Sequence, residues 1–415
     1  MLRDYCTVSS GDLDEFVGLK ISGGIPAIIF PRGYTLCNDD QQLRREIVGL
    51  LACIRKFSGH REGDQVRPNQ NENEFDFPIL SYQYVIMDFL AHGYYTENEI
   101  RYNEDLRGKI NWKKTIQSEK PEIDNDNVVY LRYITKESKI KQDSLITRIH
   151  EYCVYESFHA IGWLYLATDS LPSKPSITFN KALFLDALRK ELNNTFNDRK
   201  RKLFQSMVNI VEQKNEIAGE IPNLTYGVQR FEYVWEGLID YVFGEDDKEI
   251  FFPHAHWSIV SRNNMQVVSS ELRPDTVIKL DGKIYILDAK YYKFGITHNP
   301  MHLPATDSIQ KQITYGEYIS RRGYAEPDKI FNAFVMPFKR NEGDLPYKFV
   351  SVGTADWKKY TEGTPNYNYV LGILLDTTYL IESYTRKSIP EIEAITQLIE
   401  NSLATYRSAH AEEED

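Results

Sequence analysis

Hydrophobic and polar positions follow a strand-like rhythm at the start of the chain, a helical one in the middle and an alternation of the two at the end. The runs Val17-Gly18-Leu19-Lys20-Ile21 and Ile25-Pro26-Ala27-Ile28-Ile29-Phe30 flank Gly23-Gly24 and predict a hairpin. Asp39 precedes Leu43, Ile47, Leu50, Leu51 and Ile54, whose spacing predicts a capped helix through Lys56. A polar, Asn-rich stretch over 69–77 predicts a loop, 79–92 a second helix, and the turning, alternating residues 101–135 short strands. Helices are expected over 144–166, 180–193 and 197–214, ended by Ala218-Gly219-Glu220-Ile221-Pro222 because Gly and Pro break helical propagation.

Beyond that linker strands alternate with helices, the pattern of a mixed α/β sheet. The expected organisation is a β-plus-helical region over 1–220, an α/β domain over 221–406 and an acidic tail over 407–415 ending Glu412-Glu413-Glu414-Asp415. A last helix is predicted from Ser388, with Pro390 in its first turn and Glu391 completing a capping box.

A chain of 415 residues with 42% hydrophobic and 26% charged residues has the balance of a folded globular protein. Its formal charge of −11 means that any contact with nucleic acid needs a local patch. Cys6, Cys37, Cys53 and Cys153 are scattered without zinc-type spacing and are expected as reduced core thiols. The N-terminus lacks the basic start and apolar run of a signal peptide, and no apolar stretch approaches the roughly 20 residues of a membrane span. A cytoplasmic location with no membrane contact is expected.

The chemistry concentrates between Glu271 and Lys290. Asp281-Gly282 predicts a tight hairpin with two antiparallel strands. Successive strand side chains alternate in direction, so Asp288 and Lys290 share a face, and folding the hairpin returns Asp275 toward Asp288. Two carboxylates and an ammonium gathered at one strand end are costly to bury unless something compensates them. A divalent cation does so, and carboxylate oxygens plus water suit Mg²⁺. The implied chemistry is metal-assisted phosphodiester hydrolysis, with Lys290 positioning the attacking water and balancing charge on phosphorus. The same spacing also fits a surface hairpin whose Asp and Lys form a cross-strand ion pair.

Upstream, apolar residues at 231, 234, 235, 238, 239 and 242 predict a packed helix face. Its Glu232, Glu236 and Asp240 fall on one polar line, from which one acid could lean over the sheet end or all could face solvent. Downstream, Asp307 is expected to cap a helix carrying Gln310, Lys311, Gln312 and Tyr315. His254 with His256 and His298 with His302 lack a third zinc ligand and are assigned to structure. No G-x-x-x-x-G-K-[ST] run occurs, so nucleotide hydrolysis would belong to another chain. The basic stretches 107–114, 189–190 and 199–202 are candidates for phosphate contact or partner docking, or ordinary solvated lysines and arginines.

With these pieces assembled, the chain resembles the PD-(D/E)XK nuclease superfamily through Pro274-Asp275 and Asp288-Ala289-Lys290. More narrowly it resembles the LlaJI restriction endonucleases, relatives of the McrC nuclease subunit. The likeness is carried by Phe231 to Glu236, Arg273-Pro274-Asp275, Asp288-Ala289-Lys290-Tyr291-Tyr292 and Leu303-Pro304 to Lys311-Gln312, and extends to Gly108 through Trp112. The resemblance implies that Asp275, Asp288 and Glu236 hold the metal, that Lys290 is the catalytic lysine, and that Gln312 is the accessory polar residue of the following helix. Tyr315 follows Gln312 by three positions, where many RecB-like members keep four.

It also implies an McrB-like AAA+ GTPase partner that assembles on DNA, with the N-terminal half of this chain docking to it. The fold expected is therefore α/β, α+β overall, with a mixed nuclease sheet flanked by helices. The function expected is Mg²⁺-dependent cleavage of double-stranded DNA, with Mn²⁺ as a substitute metal, within a restriction system. The alternatives are a stand-alone type II restriction enzyme that reads its own site and a catalytically inert adaptor of the same fold.

Overall fold

Local signals become elements close to where the sequence marks them. The computed structural model describes residues 2–10, 16–23, 25–57, 73–75, 78–104, 108–124, 127–141, 144–165, 172–214, 224–260, 265–340, 348–356, 363–383 and 387–411. The predicted linker 218–222 and the end of the acidic tail, 412–415, lie outside the described residues.

The chain opens with β1 (Cys6–Val8), the hairpin β2 (Val17–Ser22) and β3 (Ile25–Phe30), α1 (Asp40–Phe57) and β4 (Asn73–Phe75). Asp39 caps α1, its carboxylate accepting the Gln42 N–H at 2.7 Å.

A second stretch follows: α2 (Ile79–His92), β5 (Glu97–Glu104), β6 (Lys109–Ile110), α3 (Trp112–Ser118), β7 (Glu122–Asp124), β8 (Asn127–Val129) and β9 (Ile134–Lys141). The helices α4 (Leu145–Tyr165), α5 (Lys181–Asn194) and α6 (Asp198–Gln213) complete it. Asn180 and Asn197 cap α5 and α6 through their side-chain oxygens.

The last stretch holds β10 (Leu224–Val228), α7 (Phe231–Phe243), β11 (His254–Ile259), β12 (Met265–Glu271), β13 (Thr276–Leu280) and β14 (Lys283–Ala289). It continues with α8 (Phe294–Thr297), α9 (Thr306–Arg321), β15 (Ile330–Phe338), β16 (Phe349–Asp356), β17 (Tyr369–Asp376), α10 (Thr377–Ser383) and α11 (Ile389–Ala411). Ala305 stands at the N-cap of α9 without a side-chain bond, so Asp307 lies in the first turn and does not cap the helix. There its charge still faces the positive end of the helix dipole. Glu391 of α11 ion-pairs with Lys348.

The chain divides into two units, Met1–Asp76 with Asn223–Asp415 and Phe77–Pro222. One junction thus falls beside the linker predicted near 220, but the first 76 residues share a unit with the last 193. The reason lies in β10, whose two edges need backbone partners. It pairs antiparallel with β2 on one side and β4 on the other, in the sheet order β1-β3-β2-β10-β4. At the β2–β10 crossing Gly18 adopts φ +144°, and a Cβ there would lie 2.3 Å from the Tyr226 carbonyl oxygen.

The second sheet of this unit is mixed, in the order β13-β14-β15-β17-β16. β14–β15 and β15–β17 are parallel, while β13–β14 and β16–β17 are antiparallel. β15 is buried at every position, as a strand covered on both faces must be. Tyr315 and Ile319 of α9 pack on Val277, Ile284, Ile286 and Ile330. Tyr285, pointing the other way from Ile284 and Ile286, bonds Glu400 of α11. Helices therefore flank the sheet, which makes the fold α/β.

In the unit Phe77–Pro222 five of the basic candidates are engaged in the unit's own structure. Arg199 binds both carboxylate oxygens of buried Asp88 at 2.7 and 2.9 Å, and Arg189 pairs with Glu212 at 2.7 Å. The Lys200, Lys202 and Lys114 ammonium groups sit over the rings of Tyr95, Tyr84 and Tyr102. Among the described residues no helix is long and apolar enough to cross a membrane.

Candidate functional site

The turn at Asp281 and Gly282 fixes everything at the other end of its hairpin. Both residues take positive φ, 50° and 71°, the requirement of a two-residue turn matched to strand twist. The resulting register sets Thr276 opposite Leu287, which leaves Asp275 beside Asp288 and Ala289. The Asp275 carboxylate accepts the Ala289 N–H at 2.8 Å. Asp288 is only 2% exposed, and the Lys290 ammonium stands 2.6 Å from its carboxylate.

A single carbonyl ties the neighbouring helix to this strand end. Val335 of β15 accepts the Lys290 backbone N–H at 2.9 Å and the Trp235 indole N–H at 3.2 Å. Trp235 is fully buried, so α7 is locked in rotation, and the next residue, Glu236, is carried to the sheet end. Of the three acids on the polar line of α7, Glu232 pairs with Arg230 and Asp240 with Lys248. Glu236 is the one coupled electrically to Asp288 and Lys290. Lys248 also donates to the Asp275 backbone carbonyl at 2.7 Å, which holds the start of β13 against α7.

The electrostatics record a surplus of negative charge. Burial, then repulsion from Asp288, pushes the Glu236 carboxyl up to about 7, against the pull of Lys290. Burial and the charges of Asp288 and Glu236 hold Asp275 well above the usual carboxylate range, opposed by the Ala289 N–H and by Lys290. Burial by itself would lower Lys290, yet the charge and hydrogen bond of Asp288 keep it above its ordinary value and hence cationic. Three carboxyl groups thus share one ammonium, and the raised proton affinity of Glu236 and Asp275 is what a divalent cation would exploit.

Among the described residues no group of three or more His, Cys, Asp or Glu side chains is set to hold a metal ion. Mg²⁺ needs fewer, since it keeps several waters and takes one or two carboxylates. Asp275 and Asp288 are the two carboxylates that could hold it, and the charge of Asp288 reaches Glu236 beside them. Asp275 and Glu236 line a cleft of about 560 Å³ at this end of the sheet.

Gln312 stands deeper than a substrate-facing position requires. It is fully buried, and its amide nitrogen donates to the carbonyls of Ile286 and Ala333, both at 3.1 Å, bolting α9 onto β14 and β15. Tyr315, three residues on, donates its hydroxyl to the Arg273 carbonyl at 2.8 Å and so supports the segment leading to Asp275. His254 pairs with Glu271 at 3.5 Å, and His302 bonds the Thr297 hydroxyl at 2.7 Å, in keeping with structural histidines.

Lys248 supports the site although no sequence motif marks it, and Tyr291, part of the stretch that carries the likeness, supports it through a distant partner. Tyr291 accepts the Arg32 backbone N–H on its hydroxyl at 2.7 Å and packs its ring near Phe231 and Trp235. Arg32 lies 259 positions away in the sequence, beyond the reach of any local pattern.

The family model for LlaJI restriction endonuclease matches residues 16–357. The Type II restriction enzyme BsuMI component YdjA of Bacillus subtilis (strain 168) is 27% identical over 347 residues, which are 79% of this chain and 73% of that protein. Among solved structures, McrC bound to McrB AAA+ hexamers, in a refined half-complex of a tetradecameric assembly from Thermococcus gammatolerans, aligns at 16% identity with a TM-score of 0.35. That alignment covers 86% of this chain and 77% of the matched one.

Proposed function

Because this chain belongs to the LlaJI restriction endonuclease family, we propose that it hydrolyses phosphodiester bonds of double-stranded DNA at the end of β14, with Mg²⁺ as cofactor and Mn²⁺ as a substitute. The observation that carries this reading is the convergence of Asp275, Asp288 and Lys290, joined by the 2.8 Å and 2.6 Å contacts, on one strand end beside Glu236.

Asp275 and Asp288 would hold the cation. Bound there, it supplies Lewis-acid polarisation of a phosphoryl oxygen and eases deprotonation of the attacking water. Lys290, held cationic by Asp288, orients that water and stabilises charge developing on the phosphoryl oxygens. Glu236, titrating near 7, accepts a proton or a hydrogen bond from water at the mouth of the site. Gln312 keeps α9 and β14 in register and so acts on the site as a positioning residue.

The chain is further proposed to work with an McrB-like AAA+ GTPase that supplies movement along DNA. Two observations support a division of labour: no phosphate-binding loop motif is present in this sequence, and the Bacillus subtilis relative is described as a component of its enzyme.

Purified protein is to be mixed with plasmid DNA and Mg²⁺, with and without the partner and GTP. The expected outcome is cleavage by the wild type that Asp288→Ala and Lys290→Ala each abolish while circular dichroism remains native. Cutting that survives Asp288→Ala would end the assignment. Site-specific cutting by the chain alone would instead favour an independent enzyme.

A further inference from the structure

A second cleft, of about 250 Å³, adjoins the proposed catalytic strand end, and its charge is opposite to that of the first. It is lined by Arg32, Arg230, Tyr292, Lys293 and His302, with Glu232 as its acid. The cleft holding Asp275 carries five acids, Glu236, Asp240, Glu245, Asp246 and Asp275, against Lys248, Arg273 and Lys387. One cleft thus carries a surplus of acids and the other of bases, and the second is lined by Tyr291, the residue after Lys290.

The cationic lining is pre-organised. Arg32 is 7% exposed, donates from Nη1 to the Tyr291 carbonyl at 3.0 Å and lays its guanidinium 4.9 Å from the centre of the Tyr291 ring. A guanidinium held against a ring and a carbonyl gives up little side-chain entropy when an anion arrives. Tyr292 adds a ring that is 37% exposed, a surface against which a sugar or base can lie. Lys293 follows Lys290 by three residues, a span of at most about 10 Å. The second cleft therefore lies within a few residues of the proposed catalytic lysine along the same segment.

We infer that this cleft is a phosphate subsite for the cleaved DNA strand, seating a phosphodiester near the bond that is cut. The inference rests on the nuclease reading above and adds to it a place where the backbone is gripped. The subsite recognises phosphate and not base edges, so it contributes affinity and register without sequence preference.

Binding of the full-length protein to duplex DNA is measured by fluorescence anisotropy in EDTA, between about 50 and 200 mM salt. Lys293→Ala is expected to weaken binding roughly tenfold on duplexes of unrelated sequence and to make the salt dependence shallower by about one ion. Lys293→Arg should restore both, and Lys283→Ala, on the α11 face of the sheet, should change neither. Unchanged affinity and salt slope in natively folded Lys293→Ala would overturn the subsite. If that result came from a protein whose wild type still cuts DNA, the nuclease reading would stand without the subsite. If Lys293→Ala weakened binding but the wild type cut under no condition, the nuclease reading would fall, and with it the subsite's place beside a cut bond.

Discussion

Asp288 owes its buried place to Lys290, and both owe theirs to the pleat, which sends residues two apart to the same face. Glu236, with Asp275, brings pH into this site. Its carboxyl, pushed up to about 7 by burial and by Asp288, is an acid whose pKa is higher in the folded chain than in the unfolded one. Its contribution to stability is therefore present in full below about 4.5 and is lost as pH rises through about 7 in cation-free protein. The same titration favours metal: as Glu236 loses its proton, negative charge gathers beside Asp275 and Asp288. Calorimetry with Mg²⁺ or Mn²⁺ is expected to show affinity rising about tenfold from pH 6 to pH 8, and Glu236→Gln should flatten that rise. A pH-independent affinity in the wild type would mean that Glu236 does not face the cation. Its companions Glu232 and Asp240 were equal candidates on the helical line, and their pairing with Arg230 and Lys248 is what singles Glu236 out.

At the scale of elements, the β13–β14 hairpin is the part that sets the register of the acids. Gly282 takes φ +71°, which an L side chain adopts only with strain, although a Cβ there would meet nothing within 4 Å. Gly282→Ala is thus a test of backbone conformation alone. It is expected to cost about 1 kcal/mol in urea denaturation, and to reduce cleavage more than that loss predicts because Asp275 and Asp288 depend on the register. The Asp-Gly pair made this hairpin legible from sequence, as the apolar spacing and Asp39, Asn180 and Asn197 made α1, α5 and α6 legible. Asp307 was legible as a helix-start residue but not as a capping one, since Ala305 and Thr306 begin α9 first and no short-range pattern distinguishes a cap from a first-turn acid.

For the whole molecule, residues 1–76 belong with the nuclease sheet and not with the helical stretch that follows them in sequence. β10 is sandwiched between β2 and β4, and the Tyr291 hydroxyl is occupied by the Arg32 N–H. A fragment beginning at 223 is therefore expected to lose its cooperative thermal transition and to aggregate, because β10 would expose both hydrogen-bonding edges. Supplying residues 1–76 in trans should restore solubility, and a fragment that melts cooperatively by itself would contradict this account. Short-range physics let the sequence determine most helix positions, the tight hairpin, the strand-borne Asp288 and Lys290, and the family resemblance, since spacing, caps and turn chemistry act over a few residues. Which acid of α7 stands by Asp275 and Asp288, what Gln312 touches, and that the first strands complete the last domain were decided only in three dimensions. Those outcomes depend on partners such as Arg32 and Tyr291, 259 positions apart, whose meeting is fixed by burial and backbone satisfaction across the unit and leaves no periodic trace along the chain.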